Sequence, residues 1–270
     1  MKILIDIGGS GVRASRYSFG RIHEQQKVAS GEELRKMTCE SFSRLIEKTA
    51  NGDKIDGIAL SVAGFVDSEN GVIRRSGCAE KLNGPIVRNL QSYFPRIPIH
   101  VVNDGEAHAR ALLYPRHEVL YGDRAVRFGA IHLAFGSAVS FGVINAQKQI
   151  VQSCDGGNWD IGDFQLEYDS NRDWDKVYYK LGDKGYQALI DDGVSGRDYE
   201  FGLRIGYFVR KLAVIFRPRT IGFSGGRFLG NTEELMRGVR ETFADPVDSD
   251  PVGFTVLSRN SAMEGLTTLF

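Results

Sequence analysis

The sequence predicts an α/β protein whose two halves each contain a mixed β-sheet flanked by helices. Each half opens with an apolar strand, a glycine turn and a second strand, over residues 2–19 and again over residues 128–144. After each hairpin, apolar runs of strand length alternate with segments of helical spacing, which is typical of helices packed on a sheet. The repeated order without sequence identity indicates a structural duplication. We predict one domain over residues 1–115 and a second over 116–270, with the terminal helix packing back on the first.

The individual elements follow from periodicity and from their flanking residues. Strands are predicted over residues 2–7, 13–19, 55–62, 97–102, 128–135, 139–144, 220–223 and 254–257. Helices are predicted over residues 40–50, 90–94, 106–113 and 201–216, after Asn231, and from Ser261 to the end. Residues 201–216 are apolar on most faces, which predicts a buried helix. Asn231 with Glu234 three residues later matches a capping box.

Composition narrows the class of protein and of partner. Of 270 residues, 42% are apolar and 25% charged, as in a globular enzyme. Lys+Arg and Asp+Glu both count 34, so bulk charge does not favour nucleic acid or a membrane surface as a partner. Apolar runs stay well below the roughly 20 residues that cross a bilayer, and the first residues do not resemble a signal peptide. The irregular spacing of Cys39, Cys78 and Cys154 favours free thiols in the cytoplasm.

The turn that follows the first strand is a candidate phosphate site. Asp6 ends the strand and is followed by Gly8, Gly9 and Ser10. Glycines let backbone N–H groups approach phosphate oxygens, and a carboxylate at this position holds Mg²⁺ directly or through water. The alternative is a plain hairpin turn, for which two consecutive glycines are common.

Two later glycine turns repeat this pattern. Gly136 and Ser137 join the strands of the second hairpin, and either bind phosphate or form only a turn. Gly225 and Gly226 follow the strand at 220–223, where a glycine backbone can lie against a flat ligand such as adenine. Turns between strands and helices also use glycine without any ligand.

Asn103 and Asp104 end a buried strand and precede a helix. A carboxylate at the end of a strand, facing a cleft, can act as a general base that accepts a proton from a substrate hydroxyl. The alternative is structural, because Asp is a preferred N-cap residue.

In combination and in order, these segments resemble the ROK family (repressors, open reading frames, kinases). The resemblance covers nearly the whole chain and rests on residues 6–13, 60–67, 103–104, 135–137 and 224–226. It implies two actin-like (ribonuclease H-like) domains around a cleft that holds a nucleotide on one side and a sugar on the other.

The resemblance also implies a role for each matching residue. Asp104 would be the catalytic base, and Asp6 would organise Mg²⁺, possibly through water. The β- and γ-phosphates of ATP would lie on Gly8, Gly9, Ser10, Gly136 and Ser137, and adenosine on Gly225 and Gly226. The sugar would contact Gly64, Asn83, Asn103, Asp104, Asp160 and Asp163.

The chain departs from the family pattern at three places. Asp160 and Asp163 replace the Glu and His of a family segment that is normally followed by a zinc-binding cysteine cluster. Because no such cluster follows, we predict no structural zinc. Ala138 replaces a glycine that is usual in the second phosphate turn, and its methyl group could crowd a phosphate.

The function implied is ATP- and Mg²⁺-dependent phosphorylation of a sugar hydroxyl on a hexose or N-acetylhexosamine, such as glucose or N-acetylmannosamine. The alternative is a sugar- or nucleotide-binding protein with weak or no catalysis, which the changes at Ala138, Asp160 and Asp163 favour. The predicted partners are a small-molecule sugar and a nucleotide, and a homodimer is the commonest symmetric assembly. The histidines are scattered singly and are interpreted as ordinary surface or core residues; they are His23, His100, His108, His117 and His132.

Overall fold

The two predicted sheets are present and share one strand order. The protein is described by a computed structural model over residues 1–114, 129–153, 158–159, 161, 180–229, 232–243 and 252–270. Its strands are β1 (Lys2–Gly8), β2 (Gly11–Ser18), β3 (Arg21–Ile22), β4 (Gln26–Ser30), β5 (Gly57–Val62), β6 (Phe65–Asp67), β7 (Val72–Arg75), β8 (Ile99–Asn103), β9 (Ala130–Phe135), β10 (Val139–Ile144), β11 (Thr220–Ser224) and β12 (Gly253–Val256). Its helices are α1 (Gly31–Lys36), α2 (Cys39–Ala50), α3 (Ile86–Gln91), α4 (Asp104–Arg110), α5 (Asp183–Asp191), α6 (Arg197–Phe216), α7 (Thr232–Glu241) and α8 (Ser261–Thr267).

The first sheet has the order β3-β2-β1-β5-β8, and β4 also pairs with β2. β1 is antiparallel to β2 and parallel to β5, which is parallel to β8. The second sheet, β10-β9-β11-β12, repeats this arrangement, with one antiparallel hairpin followed by two parallel neighbours. In both sheets the carboxyl ends of the parallel strands and the hairpin turn meet at the same edge. The predicted duplication is therefore confirmed.

Side chains that alternate along β1 pack on opposite faces of the first sheet. Ile3, Ile5 and Ile7 are fully buried in the core that also contains α2 and α3. Leu4 faces the other side, where it packs with residues of α4 and with Met263 of α8. The terminal helix therefore packs on the first sheet.

Helix α4 is packed between the two sheets. Its Ala107 belongs to the core of the first sheet, whereas Ala109 belongs to a core shared with β9 and β10. The backbones of α4 and β10 are in direct contact at Gly105. A Cβ atom on this residue would lie 2.3 Å from the carbonyl oxygen of Phe141. Because α4 begins at Asp104, this packing fixes Asp104 at the boundary between the two halves of the molecule.

Several sequence predictions need correction. Helix α6 is buried on one face only, because Tyr207, Val214 and Ile215 are 60, 76 and 62% exposed. Helix α3 covers Ile86–Gln91, so it begins four residues before the predicted segment 90–94 and ends three residues before the end of that segment; its buried face is formed by Ile86 and Leu90. Helix α1 was not predicted, because it begins with a glycine, Gly31. A capping box at Ser30 stabilises this helix.

Some predictions fall on residues outside the described ranges. These include the proposed domain boundary after residue 115 and the cap at Asn231, so both stay predictions. Among the described residues, no helix is both long and apolar enough to span a membrane.

Candidate active site

The two predicted phosphate turns face each other across the cleft. The β1–β2 turn contains Gly9 and Ser10, and the β9–β10 turn contains Gly136 and Ser137. A Cβ atom on Gly9 would lie 3.3 Å from Oγ of Ser137, so the turns nearly touch. The second turn is closed by a 2.9 Å hydrogen bond from the N–H of Gly136 to the carbonyl of Ala138. Both turns therefore line one space with small residues.

Asp6 lies beside this space near the end of β1. Its Oδ1 accepts a 2.9 Å hydrogen bond from the hydroxyl of Ser61, which is fully buried on the neighbouring β5. Its Oδ2 lies 3.5 Å from Nη1 of Arg13, whose side chain is half exposed. The Ser61 hydroxyl thus holds one carboxylate oxygen of Asp6, and the other oxygen lies near the guanidinium of Arg13.

Asn103, and not Asp104, is the N-cap of α4. The Oδ1 atom of Asn103 accepts from the N–H groups of Gly105 at 2.8 Å and Glu106 at 3.4 Å. Its Nδ2 donates to the carbonyl of Gly64 at 2.8 Å and to Oδ1 of Asp104 at 2.9 Å. The capping explanation for Asp104 is therefore wrong, because Asn103 performs that role. The amide of Asn103 is fully engaged in these bonds, so its predicted sugar contact stays a prediction.

Asp104 is the most strongly perturbed acid of the cleft. Burial, followed by repulsion from the Asp6 carboxylate, raises the pKa of Asp104 to about 7. A hydrogen bond from the hydroxyl of Ser140 and nearby backbone N–H groups oppose this rise. A carboxyl with a pKa near neutrality is suited to accept a proton during a reaction at that pH.

Asp104 lies where two cavities meet. The larger, about 700 Å³, contains both phosphate turns, Asp6 and the turn at Gly225. The smaller, about 590 Å³, contains Gly64 and Asn83. Both cavities are lined by Asp104, together with Ala63, Ala138 and Ser140. A group at Asp104 can therefore act on two ligands, one in each cavity.

The smaller cavity is lined by hydrogen-bonding groups suited to a polyol. Oδ1 of Asn83 accepts from the N–H of Ser76 at 2.9 Å, while its Nδ2 makes no hydrogen bond with a described residue. Gly64, with φ of 142°, allows β7 to approach, because a Cβ there would lie 2.3 Å from the carbonyl of Arg75. Trp159 lines the cavity, although its Nε1 donates to the carbonyl of Val151 and its ring packs on Phe216.

The candidate adenosine turn lines the larger cavity. Gly225 has a φ of 110°, and a Cβ there would lie 1.9 Å from the carbonyl of Phe135, so glycine is required by the fold. At Gly226 a Cβ would meet nothing within 4 Å. Gly226 therefore presents open backbone to the cavity.

Two predicted sugar-binding residues are not placed by the structure. Asp160 and Asp163 lie outside the described residues, as does Cys154. Their roles stay predictions.

Sequence reasoning missed three kinds of cleft residue. His108 lines the larger cavity one helical turn after Asp104, although it was interpreted as an ordinary histidine. Ser140 lines both cavities, and Lys27 and Arg259 add positive charge to the larger one. The i to i+4 spacing from Asp104 was the available signal for His108. Ser140, Lys27 and Arg259 reach the cavities only because residues distant in the sequence pack together.

The donor atoms of the larger cavity fit Mg²⁺. This ion usually binds proteins through one or two carboxylates and completes its coordination with water and substrate phosphates. Asp6 supplies such a carboxylate beside the phosphate turns. Within the described part of the chain, no group of three or more His, Cys, Asp or Glu side chains forms a metal site. The expectation about zinc stays a prediction, because most of the segment concerned lies outside that part.

Two mixed sheets of equal strand order, packed around a cleft with facing phosphate turns, define the actin-like (ribonuclease H-like) α/β fold. No protein-family model and no curated protein matches the sequence. Solved structures do match the fold. A ROK family glucokinase from Streptomyces griseus, in complex with glucose and AMPPNP, has a TM-score of 0.74 at 16% identity, over 99% of this chain and 98% of that one.

Two further solved structures match over nearly their whole length. The ROK hexokinase from Thermus thermophilus has a TM-score of 0.72 at 17% identity, over 98% of this chain and 95% of that one. The inorganic polyphosphate/ATP-glucomannokinase from Arthrobacter sp. strain KM has a TM-score of 0.68 at 17% identity, over 99 and 96%. The chain has the fold of the ROK sugar kinases, which confirms the predicted resemblance at the level of the fold.

Proposed function

We propose that this protein is a kinase that transfers the γ-phosphoryl group of ATP to a hydroxyl of a sugar. The observation that carries the proposal is the position of Asp104 at the junction of two cavities, one lined by phosphate turns and one by polyol-type contacts. Phosphoryl transfer requires chiefly positioning, charge stabilisation and a base for the attacking hydroxyl. The two cavities and Asp104 provide each of these.

In the proposed reaction, Asp104 accepts the proton of the sugar hydroxyl as its oxygen attacks the γ-phosphorus, and ADP leaves. The β- and γ-phosphates lie on Gly8, Gly9, Ser10, Gly136 and Ser137, and adenosine on Gly225 and Gly226. Asp6 would hold Mg²⁺, which would neutralise the charge on the transferred group. Arg13 stands 3.5 Å from Asp6 and balances that carboxylate.

The proposed substrate is a hexose or N-acetylhexosamine, bound by Gly64, Asn83, Asn103 and Asp104, with Asp160 and Asp163 as further contacts. The first four of these residues all line the smaller cavity, together with Asn158. The matched structures are described as a glucokinase, a hexokinase and a glucomannokinase, which supports a hexose. ATP is the proposed donor, and one of those proteins also uses inorganic polyphosphate.

A coupled assay of ADP release over hexoses and N-acetylhexosamines tests this proposal. Release above the background of ATP alone, dependent on Mg²⁺ and on one class of sugar, is the expected result. Inorganic polyphosphate in place of ATP, with sugar phosphate as the readout, distinguishes the donors. Absence of sugar phosphate with every sugar and both donors would overturn the proposal.

A binding protein without turnover is the second candidate. Ala138 lines both cavities at their junction, so its methyl group stands near the proposed position of the transferred phosphoryl group. Sugar binding by calorimetry without product in the assay would favour this candidate. Substitution Ala138→Gly then tests the cause, since removal of the methyl group should create or raise turnover.

A further inference from the structure

His108 is a polar side chain of the larger cavity to which the proposed reaction assigns no role. It lies on α4, four residues after Asp104, so both side chains project from the same face of the helix. Its ring lines the cavity that also contains Asp6 and Gly225. Asp104 lines the same cavity, so one ligand can contact both side chains.

The imidazole is held in one orientation. Its Nδ1 lies 2.8 Å from Oγ of Ser261 on α8 and 3.4 Å from Oγ of Ser224 at the end of β11. Its ring stacks on the fully buried His132 of β9, with centroids 5.7 Å apart and planes 10° apart. Three separate elements therefore converge on His108. Such fixation is the condition for a ligand contact of defined geometry.

The other nitrogen is available to a ligand. Nε2 of His108 makes no hydrogen bond with a described residue, and the residue lines the larger cavity. Burial lowers the pKa of His108 below its ordinary value, although the Asp6 carboxylate favours the charged form. The ring is then neutral at pH 7 and carries one proton. When the hydroxyl of Ser261 donates to Nδ1, that proton is on Nε2.

The charge around the ring favours an anionic ligand. Arg13, Lys27 and Arg259 line the same cavity. All three residues are exposed, so their side chains can move towards an anion. Ionised phosphate oxygens accept hydrogen bonds and donate none, so they are complementary to an N–H donor.

We propose that His108 is a nucleotide-binding residue whose Nε2–H donates a hydrogen bond to the phosphate chain of the bound nucleotide. This rests on the proposed function, because it requires a nucleotide in the larger cavity. Ser261 and Ser224 act as positioning residues that fix the plane of the ring, and the hydroxyl of Ser261 donates to Nδ1 when Nε2 carries the proton. The contact would hold the phosphates between the Gly136 turn and the Gly225 turn.

Calorimetry with MgADP and with adenosine tests this proposal, using a matched pair of substitutions. His108→Asn keeps a polar atom near Nδ1 and the bond to Ser261 but loses the group at Nε2. His108→Gln places an amide N–H near Nε2. We expect His108→Asn to weaken MgADP about 10- to 100-fold, as for a lost hydrogen bond to a charged group, and to leave adenosine unchanged. His108→Gln should regain most of the MgADP affinity.

The control is His100→Asn, the same substitution on β8, outside both cavities, where the ring packs on Phe270. It should leave MgADP affinity unchanged. Equal MgADP affinity in His108→Asn and the wild type would overturn the proposal and leave the kinase proposal intact. Absence of nucleotide binding by the wild type would overturn both.

A measurement on the wild type covers the case in which His108→Asn does not fold. With ¹⁵N-labelled histidine, MgADP should shift the Nε2 resonance of His108, and adenosine should not. An Nε2 resonance that stays in place at saturating MgADP would overturn the proposal without any variant.

Discussion

Asn103 donates a 2.9 Å hydrogen bond from Nδ2 to Oδ1 of Asp104, while its own Oδ1 accepts from the N–H of Gly105. One side chain thus caps α4 and orients the proposed base. The carbonyl oxygen of Gly64 accepts a hydrogen bond from the same Nδ2 group. In the proposed mechanism, helix stability and catalysis therefore both depend on Asn103, and substitution can separate the two.

Replacement of Asn103 tests that coupling. Asn103→Asp keeps a cap acceptor but loses the donor to Asp104 and places a second carboxylate beside it. We expect its kcat to fall about 10- to 100-fold, since a misplaced catalytic group costs a rate of this order. Asn103→Ala should lose the rate as well as about 1 kcal/mol of stability from the cap. Thermal melts beside steady-state kinetics measure both. A wild-type kcat in Asn103→Asp would mean that Asn103 acts only as the N-cap of α4 and does not orient Asp104.

Asp104→Asn tests the base directly. The amide keeps the shape of the side chain but accepts no proton, so kcat should fall about 10²- to 10⁴-fold. Sugar and nucleotide affinities should change far less, because the other contacts remain. The control is Asp67→Asn, which removes a carboxylate that binds Arg74 outside both cavities and should leave kcat unchanged. Retained kcat in Asp104→Asn would remove Asp104 from the mechanism.

The pH dependence follows from the pKa of about 7 for Asp104. The base must be ionised, so kcat should rise with pH and level off above about 7. Stability has the opposite dependence, because the folded state binds this proton more tightly than the unfolded state, whose carboxyl has its ordinary pKa near 4. That contribution is present at low pH and is lost as pH rises through about 7.

Asp104→Asn should therefore be more stable than the wild type at pH 8, and the difference should shrink towards pH 4. Melting temperatures of both proteins across this range provide the measurement. A difference that does not vary with pH would mean that Asp104 has an ordinary pKa in the folded protein.

The glycines at the candidate adenosine turn should differ in effect. Gly225→Ala places a Cβ 1.9 Å from the Phe135 carbonyl, so the variant should be strongly destabilised. Gly226→Ala meets no atom within 4 Å and should fold with wild-type stability. A loss of ATP affinity in Gly226→Ala would then report a ligand contact. Wild-type affinity there would show that adenosine does not lie against this turn. Calorimetry and thermal melts on both variants give the comparison.

The sequence predicted the two hairpins, the strands that follow them and the terminal helix, because each depends on the spacing of neighbouring residues. Periodicity failed where local signals were weak. The short β4 lacks an apolar pattern, and Gly31 hides the start of α1. The exposed apolar residues of α6 show that periodicity alone does not report which face meets solvent.

The sequence by itself determined which residues carry the candidate chemistry, since Asp6 and Asp104 each stand at the end of a predicted strand. Only the tertiary structure decided how they meet. Asp104 lies between the cavities because Gly105 lets α4 pack at backbone distance against Phe141, and no local pattern encodes that contact. The same packing raised the pKa of Asp104 and brought His108 to the cavity wall, because burial and charge repulsion depend on residues distant in the chain.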